Sequence, residues 1–492
     1  MRSVILQEVP SGRMFIGGEW IGNVSGRSFP TLNPATGEVL GEVPLADAAD
    51  VDRAVRAAHL AFPGWSETPG PERARALRAL AAALREHREE LAHLDALNSG
   101  NAIGGMRRDV DWAADSLEYF AGLIPELKGE TMPAGPATFA YTVREPFGVV
   151  GKINPFNHPI RFAAEKLAAP LAAGNTVVMK PPEQAPLSAL VLARLLRGIV
   201  PPGVVNIVPG DGPTTGAALV QHPLVRRIAL IGSVEAGRAV MRAASDALKT
   251  VTLELGGKNP IILFPDTPLE EAVEAALTAM NLNRAGQSCS STSRIFVHRD
   301  LHDRVVDALK DRLPTLRLGA PELDETEVGP LVSREQQARV LEYIEVGRRE
   351  GARLICGGGV PVDPGLRRGF FVQPTLFDGV RPEMRIAQEE IFGPVMAVLA
   401  WEDEDDMVRQ VNGVIYGLSA AIYTRDYGTA HRLARRIEAG YIWVNIPGGH
   451  ALGSPYGGIK QSGIGREECL DELLSYTQVK SIRMRLVGGE RR

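Results

Sequence analysis

Cys289 lies in the run Asn283-Arg284-Ala285-Gly286-Gln287-Ser288-Cys289-Ser290-Ser291-Thr292-Ser293-Arg294. Small, polar neighbours leave room for a substrate at the sulfur and let peptide N–H groups point at what binds there. A partly exposed thiol with a lowered pKa is a strong nucleophile. A lone cysteine is equally at home as a small buried apolar residue, so on local sequence alone both readings stand. Two glycine stretches invite a phosphate: Gly210-Asp211-Gly212-Pro213-Thr214-Thr215-Gly216 and Gly232-Ser233-Val234-Glu235-Ala236-Gly237. The first is GxGxxxG, and Pro213 removes a donor. The second offers free N–H groups and the Ser233 hydroxyl; an ordinary turn with a capping serine reads the same way. Arg161 and Glu165 are spaced i, i+4, so they pair with each other unless the guanidinium is free to take a carboxylate.

These groups need a frame. From Gly148 the chain alternates strand and helix: strands at 148–153, 176–180, 204–208, 228–231 and 251–255, with helices over 160–169, 187–196, 214–221 and 237–247 between them. That alternation predicts a parallel sheet covered on both faces, which takes a dinucleotide at its carboxyl edge. A second α/β pattern follows Gly256-Gly257, with strands at 293–297, 395–400, 420–423 and 441–445 and helices at 301–311, 334–350, 404–412 and 427–438. Before Gly148 come a hairpin signal at 14–20, a helix from Asp47 and another with its N-terminus at Pro71. The stripe Leu77, Leu80, Ala81, Leu84, Leu91 and Leu94 marks the buried face of that helix. A third helix is expected over 109–123. Residues 138–145 alternate like an exposed strand, either an arm for another subunit or an edge hairpin.

The chain has 492 residues, too many for one core, so two or three domains are expected. A net charge of −5 argues against nucleic-acid binding. Three widely spaced cysteines, Cys289, Cys356 and Cys469, indicate neither a disulfide framework nor a metal site. No stretch is apolar enough to span a bilayer, and Met1–Glu8 lacks a long apolar segment. A cytoplasmic enzyme with reduced thiols is the expectation.

In order, six motifs resemble those of the NAD(P)-dependent aldehyde dehydrogenase superfamily, of the hydrolytic type that does not use coenzyme A. They are Pro146 to Asn157 (PFGVVGKINPFN), Val178 to Glu183 (VMKPPE), Leu253 to Lys258 (LELGGK), Gly286 to Cys289 (GQSC), Glu389 to Val395 (EEIFGPV) and Ser454 to Gly458 (SPYGG). The match runs from about residue 15 to 485. It implies a Rossmann-like NAD-binding domain (1–127 and 148–256), an α/β catalytic domain (257–462) and a small β oligomerisation arm (128–147 and 473–492).

The resemblance also implies roles. Cys289 is the nucleophile, Asn157 and the Cys289 N–H receive the oxyanion, and Glu254 is the general base. Lys166 and Glu467 match a proton relay. Lys180 and Glu183 match adenine-ribose ligands, and a carboxylate there favours NAD over NADP. Ser233 matches the pyrophosphate site, which favours the later glycine stretch, and Glu390 and Phe392 match the nicotinamide side. Ile153, Asn154, Pro155, Phe156, Gly212, Gly232, Leu255 and Gly256 complete the expected cofactor contacts. Phe156 stands where Trp is usual and Ile231 where Thr is frequent.

The expected substrate wall is His158, Arg161, Phe162, Glu165, Asn283, Ser288, Ser290, His450 and Tyr456, a polar set. It suits a polar aldehyde, either a semialdehyde acid or an oxygenated aromatic aldehyde; a betaine-type cationic aldehyde is the alternative. A non-catalytic NAD-binding homologue is the alternative from another class, which intact Cys289, Asn157 and Glu254 oppose. No metal is implied. A homodimer or homotetramer is expected, because a carboxyl-terminal strand of this kind joins a sheet across subunits in the family.

Overall fold

The computed structural model describes residues 12–486. The chain forms two large sheets. In the first, the parallel strands run in the spatial order Thr250–Glu254, Val225–Ile231, Val149–Ile153, Thr176–Lys180 and Val205–Ile207. The antiparallel hairpin Met14–Ile16 and Glu19–Ile21 extends one edge, and Gly463–Ile464 caps the other. Strand order runs outward from Val149–Ile153 in one direction and then restarts on its other side. That reversal opens a crevice at the carboxyl ends of Val149–Ile153 and Val225–Ile231. Alternate residues serve opposite faces: Val177 belongs to the core that includes Leu77, Leu167 and Leu190, whereas Val178 belongs to the one that includes Val51, Leu219 and Leu253.

The second sheet has seven strands, in the order Arg353–Cys356, Thr375–Asp378, Val395–Trp401, Arg294–His298, Pro260–Leu263, Ser419–Tyr423 and Tyr441–Val444. All neighbours are parallel except the first pair. Three of these strands escape the sequence reading: Pro260–Leu263, Arg353–Cys356 and Thr375–Asp378. Each has four residues, too few to show a period.

The expected helix from Pro71 through Leu94 is two helices, Gly70–Glu86 and Arg88–Ser99, broken at His87. The leucine stripe survives the break, because Leu77, Leu84, Leu91 and Leu94 are all buried. Helix Val234–Ser245 begins three residues earlier than expected, with the Ser233 hydroxyl capping Ala236 N–H. The helix expected from Thr214 starts as a wide turn over Gly212–Gly216 and becomes α-helical at Ala217–Gln221.

The 138–146 strand lies at the centre of a small sheet. Thr138–Pro146 pairs antiparallel with Thr477–Arg485 of the same chain through nine residue pairs, and Thr131–Met132 flanks it. Thr477–Arg485 is therefore one of the two edge strands. Residues 1–11 and 487–492 of the expected domains lie outside the described residues.

Candidate active site

Cys289 is half-buried at a turn between the two sheets. The turn is unusual: Asn281 and Ala285, both with side chains, have positive φ of 56° and 49°. Asn259 clamps it by donating from Nδ2 to the carbonyls of Cys289 (2.7 Å) and Ser291 (3.0 Å). Gly257 must be glycine, since a Cβ there would sit 2.5 Å from Asn259 Oδ1 and 2.7 Å from the Cys289 carbonyl. The Cys289 N–H has no hydrogen-bond acceptor among the described residues.

The thiol opens on a cavity of about 700 Å³. Glu254, Lys166 and Glu467 share its wall with His158, Arg161, Phe162, Asn283, Ser288, Ser290, His450 and Tyr456. Glu165 does not reach the wall. It is buried beneath, where its carboxylate accepts from Arg161 (2.7 Å) and Lys166 (2.5 Å). That removes it from the expected substrate contacts: buried Lys166 and half-buried Arg161 hold it away. Asn157 is buried, its carbonyl accepting from Asn101 Nδ2 (3.0 Å), while its side-chain oxygen has no partner among the described residues.

Glu254 ends strand Thr250–Glu254, and both its carboxylate oxygens are buried without a hydrogen bond among the described residues. Burial first, then the nearby Glu467 carboxylate, pushes its pKa well above the usual carboxylate range. Burial, with Glu390 and Glu254 close by, likewise pushes the Cys289 thiol up, to about 12. Lys166 bonds Glu467 at 2.8 Å. Burial opposes its charge, but Glu165 and Glu467 outweigh that and hold it protonated.

Arg161 is not free. Nε donates to Glu165 and Nη2 to Glu468 (2.8 Å), and the guanidinium lies over the Trp112 ring at 4.8 Å. Glu468 also takes His450 Nδ1 at 2.8 Å. Also lining the cavity, Asp109 accepts from Arg284 (2.7 Å) and faces His158 Nδ1 at 2.9 Å. Burial lowers the His158 pKa to about 4. Asp109, Trp112, Arg284, Glu468 and Asn259 are site residues the sequence reading omits. Only Glu468, beside Glu467, had any local signal.

The crevice of the first sheet collects the expected cofactor residues. Ile153 and Lys180 are register partners at adjacent strand ends, and Asn154, Pro155 and Phe156 follow Ile153. Lys180 Nζ pairs with Glu183 at 2.9 Å. Gly232 N–H donates to the Glu254 carbonyl (3.0 Å), and exposed Ser233 heads the 12-residue helix. In the earlier stretch, exposed Gly212 heads a turn whose Thr214 N–H is already taken by Asp211. Glu390 Oε1 accepts from Gly257 N–H (3.1 Å), and its other oxygen lies over Gly256, 2.0 Å from where a Cβ would stand, so a side chain there would displace the carboxylate. Burial raises the Glu390 pKa to about 7. Leu255 packs on Gly237, and Phe156 meets Phe392 edge-on at 5.7 Å. A dinucleotide fits this set: an open helix N-terminus, a lysine–carboxylate pair at a strand end, and a carboxylate beside the thiol loop.

Fold and site thus define a two-sheet α/β protein with a dinucleotide crevice facing a thiol cavity. The aldehyde dehydrogenase family matches residues 20–482, and the chain belongs to that family. It is 49% identical over 486 residues to aldehyde dehydrogenase tropH of Talaromyces stipitatus, covering 97% of this chain and 94% of that one. It is similar to the NAD+ complex of an aldehyde dehydrogenase from Bacillus cereus, with TM-score 0.95, 42% identity and 98% of each chain covered. It is also similar to betaine aldehyde dehydrogenase from Staphylococcus aureus, solved with NAD+, with TM-score 0.96, 36% identity and coverage of 99% of this chain and 97% of that one.

Proposed function

We propose that this chain oxidises a neutral, oxygenated aldehyde to its carboxylic acid with NAD. The observation that carries this is the shared cavity of Cys289 and Glu254, in which the carboxylate is buried and unpaired. The Cys289 sulfur adds to the aldehyde carbon, and the carbonyl electron pair moves to oxygen. The Asn157 side chain and the free Cys289 N–H receive that oxyanion. Lys180, Glu183, Ser233 and Glu390, along the crevice from Ile153 to Phe156, would hold NAD, which would accept the hydride that the adduct loses in becoming a thioester. Glu254 then takes a proton from water, whose oxygen attacks the thioester carbon; the C–S bond breaks, Cys289 leaves as the thiolate, and the acid is released. Lys166 and Glu467 pass the proton onward from Glu254.

Pairing of Arg161 with two carboxylates favours a neutral substrate over a semialdehyde acid. It also works against a cationic, betaine-type aldehyde, because Arg161 already covers the Trp112 face. The test is NADH formation across neutral, carboxylated and trimethylammonium aldehydes, with NAD and NADP. Turnover confined to carboxylated or cationic aldehydes overturns the substrate reading. No turnover by folded protein that binds NAD overturns the enzymatic one.

We assign residues 1–127 and 148–256 to the cofactor domain, 257–462 to the catalytic domain, and 128–147 with 473–492 to the oligomerisation arm. The outer strand Thr477–Arg485 exposes Val479 and Met484, which supports a homodimer or homotetramer; a monomer by light scattering at micromolar concentration overturns it. No helix among the described residues is long and apolar enough to cross a membrane, and unpaired Cys289, Cys356 and Cys469 fit the cytoplasm.

A further inference from the structure

Asp109 decides which nitrogen of His158 carries the hydrogen. His158 stands at the start of helix Pro159–Ala172, directly after Asn157, and its side chain lines the cavity with 10% of its surface open. Its Nδ1 lies 2.9 Å from Asp109 Oδ2. The other Asp109 oxygen accepts from Arg284 Nη2 at 2.7 Å. Burial opposes the charge on Asp109, but the Arg284 charge and the His158 hydrogen bond outweigh it and hold the carboxylate ionised. An ionised carboxylate only accepts, so Nδ1 is the donor. Burial also keeps the imidazole neutral near neutral pH. A neutral imidazole has one N–H, so Nε2 is a bare lone pair.

That lone pair is unused. Nε2 makes no hydrogen bond among the described residues, and it is not among the polar atoms that the fold seals away. The ring is held in place. Phe162 lies against it with centroids 5.1 Å apart, and Asp109 is itself tied to Arg284.

The other uncharged polar groups of the wall differ. Asn283, Ser288, Ser290 and Tyr456 each have a hydrogen to donate. His158 offers only an acceptor, so a carbonyl or an ether on the substrate leaves it unmet, at a cost. A hydroxyl satisfies it. We infer that His158 is a specificity-determining residue whose Nε2 accepts a hydrogen bond from a hydroxyl of the substrate, so that hydroxylated aldehydes are selected over their ethers. This rests on the Cys289 cavity being the aldehyde site, and it narrows the oxygenated substrate to one that donates. The hydroxyl keeps its proton throughout.

The first test compares kcat/KM for hydroxybenzaldehydes and their methyl ethers at slightly acid pH, where the phenols stay protonated. The unaltered enzyme should favour the hydroxyl by about tenfold, the scale of one neutral hydrogen bond. His158→Phe keeps a flat ring without an acceptor, and the preference should vanish. Asp109→Asn keeps the imidazole and moves its hydrogen. The amide oxygen stays with Arg284, the NH2 turns to Nδ1, and Nε2 becomes the protonated nitrogen. The preference should vanish there too. A preference absent from the unaltered enzyme, or one that survives both substitutions, overturns the inference. No turnover of any aldehyde overturns instead the enzymatic reading on which it rests. The second test needs no turnover. Histidine-selective nitrogen NMR of the full chain without cofactor, with His158 assigned by its loss in His158→Phe, should show a protonated Nδ1 and a bare Nε2. A protonated Nε2 overturns the inference.

Discussion

Arg161 and Glu468 are 307 positions apart in sequence and joined by a 2.8 Å ion pair at the cavity wall. With Glu165 on the other side, the guanidinium is held by two carboxylates, and these outweigh burial in keeping it charged. Glu468→Gln leaves Arg161 short of one partner. We expect kcat/KM for a carboxylated aldehyde to rise about tenfold relative to a neutral one, since part of the guanidinium field is released into the pocket. Parallel kinetics on the two substrates check this; an unchanged ratio contradicts it.

Glu254→Gln should lower kcat by about a hundredfold or more, the usual scale for losing a general base. A fast first equivalent of NADH should remain, because the loss falls on thioester hydrolysis. Rapid-quench mass spectrometry should then find the acyl group on Cys289. In the unaltered enzyme the hydrolytic rate should climb with pH above the ordinary carboxylate range, because burial and Glu467 raise the Glu254 pKa. That climb should vanish in the variant.

Much of this geometry was legible where a role is local. The i, i+4 spacing of Arg161 and Glu165 predicts a pair, and the pair forms at 2.7 Å. The strand–helix alternation predicts the first sheet, and its parallel order follows. Legibility fails where a role is made by distance. Asn259 clamps the Cys289 loop from 30 residues away, and Asp109 meets Arg284 across 175. A buried amide or aspartate looks like any other until the fold supplies its partner. The family resemblance puts Glu165 on the wall; here its carboxylate pairs with Arg161 and Lys166 and does not line the cavity.

Glu183 pairs with Lys180 at the end of strand Thr176–Lys180, with its own side chain 42% exposed and available to ribose hydroxyls. A carboxylate there repels a 2′-phosphate. Glu183→Gln keeps the shape and removes the charge. The kcat/KM for NADP should rise relative to NAD by about tenfold, measured with one aldehyde at saturation. An unaltered cofactor ratio would remove Glu183 from the ribose site.

Asp95 sets the helix that carries Arg161 and Lys166. Its Oδ2 accepts from Ile160 N–H at 2.8 Å, at the start of helix Pro159–Ala172, while Oδ1 is buried without a hydrogen bond among the described residues. Burial raises its pKa to about 7 from an ordinary value of 3.8, against the Ile160 bond. The sign follows. Below about 4 the carboxyl is protonated whether folded or not, and its contribution is fully present. From about 4 to about 7 the unfolded chain ionises while the folded one holds its proton, so stability falls with rising pH. Above about 7 the loss is complete, on the order of a few kcal/mol. Asp95→Asn keeps an oxygen for Ile160 N–H and cannot ionise. Urea denaturation at pH 5 and pH 8 should show a smaller stability difference in Asp95→Asn than in the unaltered protein, with the variant relatively more stable at pH 8. Equal pH dependence in both would mean that Asp95 is already ionised in the folded state, held by the Ile160 N–H.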